Sequence, residues 1–457
     1  MKDLTQGPIK THLLRMSGAM LLNMLTGTLF SLVNIFWLGR LGATAQAAVT
    51  LAAIPIMLLL TLLPIVSVGS GILIAQAVGA QDQARANRIF NEAFGISLLV
   101  TALIGVVAWS NRDAFGFLMT PDAATAALIA AYFRWFIPSV VVQVPLFVLA
   151  AALEFTGNVR AGTIAQSGTV VLNAILAPLL MFGWLGLPQL GVEGTGLASF
   201  IACGLTMVGL LVYFARKNAY LGMRPSIWLS PPQQLWAALK IGLPTGLESG
   251  VVAAYLMVIA LLLRPFGAAE QAAFGIGQRI FQAGLMPLIA LSSATCVIVG
   301  QSYGAGLAGR VRETLRASLT LGLIVAPVLL LLLESFAPWI CNRFSDDPAV
   351  ISAGAVFLRI GALSLIPASG AYAVFAVLSG MGNTKASLFT QIAYGALVVV
   401  PASALSQLPG FRPSWLWTVM LLAGFSQALI AWYFLRREFG RRVDGLQPVA
   451  VAEPEAA

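Results

Sequence analysis

The sequence predicts an all-α integral membrane protein with twelve transmembrane helices in two pseudo-symmetric six-helix bundles. Of the 457 residues, 59% are hydrophobic and only 9% are charged, and the apolar residues fall into long runs. A soluble domain carries roughly 25% charged residues, so this chain needs lipid as its solvent. No segment of the sequence is long and polar enough to form a separate soluble domain.

Each apolar run is long enough to cross the bilayer as a helix, because about 20 residues with a rise of ~1.5 Å span roughly 30 Å of hydrocarbon. In the first half, spans are predicted near residues 15–38, 46–77, 88–110, 126–153, 161–183 and 191–214. In the second half, spans are predicted near residues 236–263, 271–300, 313–339, 350–379, 386–408 and 414–435. The predicted domains are an N-terminal lobe (1–215), a cytoplasmic linker (216–235), a C-terminal lobe (236–440) and a disordered tail (441–457).

Basic residues predict the topology of these spans. Residues 1–17 lack an apolar core followed by a small-residue cleavage site, so we expect no signal peptide and a retained first span. An even number of spans places both termini on one side, and that side holds eighteen of the 26 basic residues. The positive-inside rule makes it the cytoplasm. The net charge of +9 therefore reflects topology, and we expect no nucleic-acid partner.

Residues that could support catalysis or metal binding are scarce. Cys203, Cys296 and Cys341 have no spacing typical of a disulfide or a metal site. The sequence shows no nucleophile–base spacing and no phosphate-binding loop, so it predicts no enzyme, no metal and no cofactor.

An internal repeat runs through the chain at a constant offset of 225 residues, the difference between Gln76 and its equivalent Gln301. The motifs QAVGAQ and QSYGAG align at this offset, as do FTGNVRA and GMGNTKA. Their aligned residues are candidate gate or turn positions: Gly79 with Gly304, Gly157 with Gly382, and Asn158 with Asn383. Six helices per repeat give both halves the same orientation, and a cleft between such halves suits alternating access. The repeat therefore favours a transporter over a static channel or a scaffold.

Glu248 is the strongest candidate for ion coupling. It lies some twelve residues into the seventh span, or ~18 Å along the helix. Pro244 and Gly246 precede it, and both loosen a helix. An ionisable group at bilayer depth is costly, so it is a functional candidate that could bind a proton or a cation. The alternative is a carboxylate that only bonds to a neighbouring helix.

Other polar residues in the spans are candidates for a gate or a substrate cleft. Glu154 precedes the turn at Gly157, and we expect it at a helix end or gate, paired with Arg160 or a similar base. The candidate cleft residues are Asn34, Gln143, Asn173, Tyr255, Gln282, Tyr372 and Gln391. Bonds between helices would also account for most of them. Aromatic rings and amides around one carboxylate suit bulky amphipathic cations.

Glycines and prolines in the second and eighth spans mark helices that can bend or pack closely, and bending is the commoner use. These residues are Pro64, Gly69, Gly71, Gly275, Gly277 and Pro287.

Several motifs resemble those of the multidrug and toxic compound extrusion (MATE) family. They are QAVGAQDQARANR, GQSYGAGLAGRVRE, GNVRAG, GNTKAS, VLNAILAPLL and LGVEGTGLAS, and the resemblance runs from Gly7 to about Phe434. It implies a twelve-helix antiporter that exports organic cations or other xenobiotics in exchange for Na⁺ or H⁺. We expect a monomer in the lipid bilayer of the bacterial inner membrane, with a small-molecule substrate and both termini cytoplasmic.

The first half departs from the family pattern. Asn34 stands where the family usually carries Asp, Ala19 where it often has proline, and Ala177 where an Asp often follows the Asn of the fifth span. An amide cannot titrate and offers Na⁺ only a neutral carbonyl, so coupling is expected at Glu248. The alternatives are a lipid-linked oligosaccharide flippase of a related fold, which scarce midplane arginines disfavour, and a non-transporting membrane subunit.

Overall fold

The computed structural model describes residues 3–60, 62–216, 220–228 and 233–447. The regular structure in these ranges is helical, and no strand occurs within them. The predicted all-α class is therefore confirmed.

The chain divides into two units. Unit 1 comprises Met1–Asp3 and Ala19–Leu243, and unit 2 comprises Leu4–Gly18 and Pro244–Ala457. The two boundaries that fall inside helices, at 19 and 244, are related by the same repeat offset. The units differ from the predicted lobes because residues 4–18 belong to unit 2, whereas the described part of 220–243 belongs to unit 1.

The helices follow the chain in two series. The first comprises α1 (Ile9–Arg40), α2 (Ala43–Leu60), α3 (Leu62–Gly79), α4 (Gln83–Ser110), α5 (Arg112–Met119), α6 (Ala123–Phe155), α7 (Val159–Phe182), α8 (Val192–Ala215) and α9 (Pro225–Trp228). The second comprises α10 (Leu235–Leu262), α11 (Ala268–Gly304), α12 (Ala308–Asn342), α13 (Pro348–Leu363), α14 (Leu365–Gly380), α15 (Thr384–Leu405) and α16 (Pro413–Glu438).

Ten helices in the described ranges are long and apolar enough to cross a membrane. The pair α13 and α14 passes the same test together and bends by 49°, which gives up to eleven spans. The second predicted span corresponds to the shorter helices α2 and α3, which flank residue 61 outside the described residues. All twelve predicted spans thus overlie helices, and the tenth is bent between α13 and α14.

The turns after α3 and α11 have matching geometry. Leu307 N donates to Ser302 O over 2.9 Å, and Asp82 N donates to Ala77 O over the same distance. The residue with positive φ is Gln81 in one turn and Gly306 in the other. The predicted turn residues, Gly79 and Gly304, are instead the last residues of α3 and α11.

The turns after α6 and α14 also match, and each contains a glycine predicted at a gate or turn position. Gly157 has φ +81° and Gly382 has φ +80°. This left-handed conformation is open to glycine without steric cost. Asn158 N donates to Leu153 O over 2.9 Å, and the equivalent bond from Asn383 N spans 2.8 Å. The repeat therefore extends to individual backbone bonds.

Three of the glycines predicted to let helices bend or pack closely lie at close contacts between helices. A Cβ on Gly69 would overlap Ala238 O of α10, and a Cβ on Gly71 would overlap the Phe155 ring of α6. A Cβ on Gly277 would overlap the ring of Phe357. Close packing, one of the two uses predicted, is the use seen at these three positions, because each faces a neighbouring helix too closely for a side chain.

The segment that follows α8 is held on α4 by buried amides. Asn87 Oδ1 accepts from Gly222 N over 2.7 Å, and Asn91 Oδ1 accepts from Arg224 N over 2.7 Å and from Trp228 Nε1 over 3.1 Å. Asn91 is fully buried. This arrangement satisfies several backbone groups that would otherwise be costly to bury.

The same contact continues toward α10. Glu92 accepts from Gln234 N over 2.8 Å and from Arg88 Nε over 2.9 Å. Trp228 lies against Gly95, where a Cβ would come within 2.6 Å of the Trp228 carbonyl oxygen. Residues 220–228, which we call the linker segment, therefore pack as part of unit 1.

The start of the predicted disordered tail is ordered. Residues Phe439–Val443 form a π-helical turn directly after α16. Val443 is fully buried and packs in the same apolar cluster as Val311 and Leu315 of α12. The prediction is therefore wrong for residues 441–447, and residues 448–457 lie outside the described residues.

Candidate functional site

Glu248 lies near the middle of α10, about 20 Å along the helix from Leu235 at ~1.5 Å per residue. Pro244 lies inside the same helix, one turn before it. Proline removes one helical hydrogen bond and crowds the carbonyl four residues earlier. The sequence thus places a half-buried carboxylate directly after a local weakness in α10.

Three tyrosines of unit 2 lie near this carboxylate, and we call them the tyrosine cluster. Tyr255 is two helical turns after Glu248 on α10, and its ring meets the Tyr394 ring of α15 edge-on, with centroids 5.3 Å apart. Tyr372 of α14 lies within electrostatic range of Glu248 and of both other tyrosines. The three rings are contributed by α10, α14 and α15, and Tyr372 is the ring of the cluster that is coupled directly to Glu248.

Tyr394 was missed by the sequence analysis. It lies one helical turn after the predicted residue Gln391, so the two share a face of α15. Gln391 Oε1 accepts from Gln427 Nε2 of α16 over 2.9 Å. Gln391 therefore bonds between helices, whereas Gln282 is exposed on α11.

The candidates in the first half of the chain lie on several helices: Asn34 is near the end of α1, Gln143 is on α6 and Asn173 is on α7. The Oδ1 atoms of Asn34 and Asn173, together with Thr195 Oγ1, are buried without a hydrogen-bond partner in the described structure. Asn173 Nδ2 donates to Ser199 Oγ over 2.8 Å, which joins α7 to α8. Gln143 is half-buried on α6.

An apolar cluster adjoins these residues in unit 1. Leu38, Ala177 and Ala198 belong to this cluster, and each lies about one turn after one of the three unpaired oxygens along its own helix. Ala177 is 2% exposed, so the position where the family often has Asp is a packing position here. The three unpaired oxygens are neutral acceptors, and position 177 adds no carboxylate beside them.

Unit 1 has its own candidate carboxylate, Glu154, which lies at the end of a series of hydrogen-bonded amides. Glu154 Oε1 accepts from Gln166 Nε2 over 2.9 Å, and Gln166 Oε1 accepts from Asn23 Nδ2 over 2.6 Å. Ser167 Oγ donates to Asn23 Oδ1 over 3.3 Å. In this series Ser167 donates to Asn23, Asn23 to Gln166 and Gln166 to Glu154, so all the bonds run in one direction and end at the carboxylate.

The expected pairing of Glu154 with Arg160 is wrong. The carboxylate turns back toward α7, where it accepts the bond from Gln166 and its Cγ lies beside Gly162. Arg160 is exposed and forms no ion pair in the described parts of the chain. The glutamine was hidden from the sequence analysis because a single polar residue in an apolar helix does not reveal which neighbour it faces.

Fold and site together define a multi-pass helical membrane protein with two similar halves and polar groups within its spans. A family model described as MatE matches residues 19–179 and 244–405, two segments whose starts are related by the repeat offset. The chain belongs to this family, whose members are transporters and not enzymes. The resemblance seen in the turn motifs is thereby confirmed.

Individual relatives cover nearly the whole chain. It is 30% identical over 447 residues to a probable multidrug resistance protein NorM of Deinococcus radiodurans. The aligned region covers 94% of this chain and 96% of the relative. It is 26% identical to an FAD transporter of Shewanella oneidensis, over 89% of this chain and 90% of that protein. A solved outward-facing multidrug resistance MATE family transporter is similar in fold, with a TM-score of 0.87, 20% identity and coverage of 96% and 98%.

Proposed function

We propose that the protein is a secondary active antiporter that exports organic cations or other xenobiotics by alternating access, in exchange for H⁺ or Na⁺. The observation that carries the proposal is Glu248 beside the tyrosine cluster in unit 2. A carboxylate at bilayer depth is costly to maintain without a role. The similarity to a NorM multidrug resistance protein supports the same substrate class.

The chemistry of this site suits exchange. An ionised Glu248 attracts a cationic substrate, and the faces of Tyr255, Tyr372 and Tyr394 add cation–π and apolar contact. A proton or a Na⁺ ion that neutralises the carboxylate removes that attraction. Substrate and coupling ion therefore compete for one group, which is the requirement for antiport through a single site.

The repeat supplies the two bodies that alternating access requires. Parallel six-helix repeats can rock about a central site so that it opens to one side at a time. We propose both termini in the cytoplasm, because eighteen of the 26 basic residues lie on that side. We further propose a monomer in a bacterial inner membrane.

The two candidate coupling ions are supported by different groups. Glu248 can bind a proton or Na⁺, whereas the neutral oxygens of Asn34, Asn173 and Thr195 do not titrate and could contribute to coupling only as ligands of Na⁺. A proton therefore requires only unit 2. Na⁺ could also use the unpaired oxygens of unit 1.

A second substrate class comes from the similarity to an FAD transporter. The tyrosine cluster could stack on a flavin ring, although Glu248 would repel its phosphates. Among the functions considered, the relatives favour an exporter over a lipid-linked oligosaccharide flippase.

The test is transport in liposomes with imposed proton or Na⁺ gradients, using a lipophilic cationic dye and FAD as substrates. We expect one gradient to drive dye transport and Glu248→Gln to reduce it at least tenfold. Glu334→Gln, which removes an exposed carboxylate from α12, is the matched control and should transport as the wild type does. Full transport by Glu248→Gln would contradict the assignment of coupling, and transport of FAD alone would replace the substrate class.

A further inference from the structure

The repeat-related helices α4 and α12 present the same face in different surroundings. In unit 1 the linker segment covers the start of α4 through Asn87 and Asn91. The repeat offset places Arg312 and Arg316 at the matching positions of α12. Two buried amides in one half are therefore replaced by two guanidinium groups in the other.

The surroundings of these arginines leave positive charge unmatched. Arg312 forms an ion pair with Asp444, which follows the π-helical turn after α16. Arg316 is exposed and takes part in no ion pair among the described residues. Arg441 in that turn is also exposed, and Glu313 is the nearest acidic residue along α12.

The rest of this face of α12 is apolar and exposed. Thr320 follows Arg316 by one turn, and Leu323 and Ile324 follow by two, with exposures of 53% and 58% for the last two residues. Helical residues spaced by three or four share a face. From Arg316 to Ile324 the rise is about 12 Å. One face thus changes from cationic to apolar over a distance comparable with the headgroup region of a phospholipid.

In unit 1 the equivalent face of α4 is covered by the linker segment. Gly95 matches Thr320 at the repeat offset, and Trp228 of the linker segment lies on Gly95. The ring of Trp228 also meets Phe94 edge-on, with centroids 5.0 Å apart. The described residues place no such cover over Thr320, which is exposed.

We propose that an anionic phospholipid binds unit 2 at the start of α12, with its phosphate on Arg312 and Arg316 and its acyl chains along Leu323 and Ile324. Guanidinium groups pair with phosphate oxygens through two parallel hydrogen bonds. A soluble acidic peptide could pair with the arginines but would leave the apolar residues uncovered. The combination therefore identifies an amphiphile, and the start of a membrane-crossing helix lies at headgroup depth.

The ordered chain after α16 gives this site a fixed wall. Val443 is buried against Val311 and Leu315, and Asp444 contacts Arg312. Because Asp444 offsets part of the charge of Arg312, Arg316 carries the larger share of the preference for an anionic lipid.

Native mass spectrometry of the full chain can test the site. The protein is purified from nanodiscs that contain equal amounts of phosphatidylglycerol and phosphatidylcholine, and the retained lipids are counted. We expect phosphatidylglycerol to be retained preferentially and that preference to fall about fivefold in Arg316→Gln. Arg316→Lys should keep most of the preference. Arg85→Gln removes an exposed arginine from the first turn of α4 and is the matched control.

Four outcomes would overturn the proposal. They are equal retention of both lipids by the wild type, an equal loss of preference in Arg316→Gln and Arg85→Gln, displacement of the lipid by millimolar inorganic phosphate, and displacement by a polyglutamate peptide. The last two would assign the arginines to a free anion or to an acidic protein segment. Lipid retention does not depend on transport, so the result is independent of the proposed antiport.

Discussion

Unit 1 places its carboxylate at the end of a chain of amides, in which Asn23 and Gln166 lead to Glu154. The matching positions of unit 2 hold, in the same order, Glu248, Gln391 and Ser379. The glutamine is common to both halves, but the carboxylate has changed position, from the end of α6 in unit 1 to the middle of α10 in unit 2. Duplication thus fixed the helices while the polar groups diverged.

One close helix contact is present in both halves, but the small residue that allows it lies on a different helix in each half. In unit 1, Gly71 of α3 faces Phe155 of α6. In unit 2 the matching residues are Cys296 and Gly380, and a Cβ on Gly380 would come within 2.8 Å of Cys296 O. The small residue has moved to the opposite helix, so the close approach is preserved although its parts are exchanged.

The largest effect expected from breaking this comparison is at Asn23. Asn23→Asp removes the donor to Gln166 Oε1 and adds a second carboxylate beside the glutamine that serves Glu154. We expect the free energy of unfolding to fall by about 3 kcal/mol. Thermal unfolding in detergent measures this, with Asn111→Asp, an exposed position, as the control. Equal stability of the two variants would show that the amide chain contributes nothing.

Transfer of the packing of unit 2 into unit 1 should have the next largest effect. Gly71→Cys forces the Phe155 ring to move, and overpacking of this kind costs about 2 kcal/mol. Adding Phe155→Gly should recover most of the lost melting temperature, because it recreates the pair found in unit 2. Gly168→Cys, at a position with no neighbour within 4 Å, should be nearly neutral. A double variant less stable than Gly71→Cys would refute the compensation.

Asn91→Ala should loosen the linker segment. It removes partners from Arg224 N, Trp228 Nε1 and Gly222 O. The lost bonds should cost about 1 to 2 kcal/mol. Amide hydrogen exchange across residues 220–228 should accelerate, while Gln83→Ala, which loses one exposed bond to Tyr220 O, should change it less. Unchanged exchange in Asn91→Ala would mean that apolar contacts alone hold the segment.

The smallest expected effect concerns the tyrosine cluster. Tyr394→Ala removes one π face and should weaken dye binding about fivefold, the equivalent of roughly 1 kcal/mol. Tyr394→Phe keeps the ring and should change the dissociation constant less than twofold. Tyr433→Ala, which removes a 62% exposed ring on α16, is the control. A loss as large in Tyr394→Phe as in Tyr394→Ala would point to the hydroxyl group instead.

The positions of the spans could be predicted from the sequence because lipid requires long apolar runs, and the repeat could be found because its turns keep fixed residues. The neighbours of polar side chains could not be predicted. Gln166 and Tyr394 each contact partners on another helix, and the periodicity of the sequence does not identify that helix. The two possible uses of Gly69 and Gly71 could not be separated for the same reason, since a close approach and a bend use the same residue.

The extent of the ordered chain after α16 was also missed. Residues 441–447 are polar enough to suggest a tail, yet Val443 is fully buried. Val443 and Leu446 pack in the same apolar cluster as Val311 and Leu315 of α12, and composition does not show where such residues pack.

The most direct test of coupling through unit 2 compares Glu248→Gln with Glu154→Gln in the same liposomes. Two rates are measured for each variant: exchange of labelled for unlabelled dye without a gradient, and dye transport driven by the coupling ion. We predict that Glu248→Gln loses gradient-driven transport and needs a higher dye concentration for exchange, because the attractive charge is gone, whereas Glu154→Gln remains driven by the gradient. Loss of driven transport in Glu154→Gln, with Glu248→Gln still coupled, would place the coupling group in unit 1 and contradict the account.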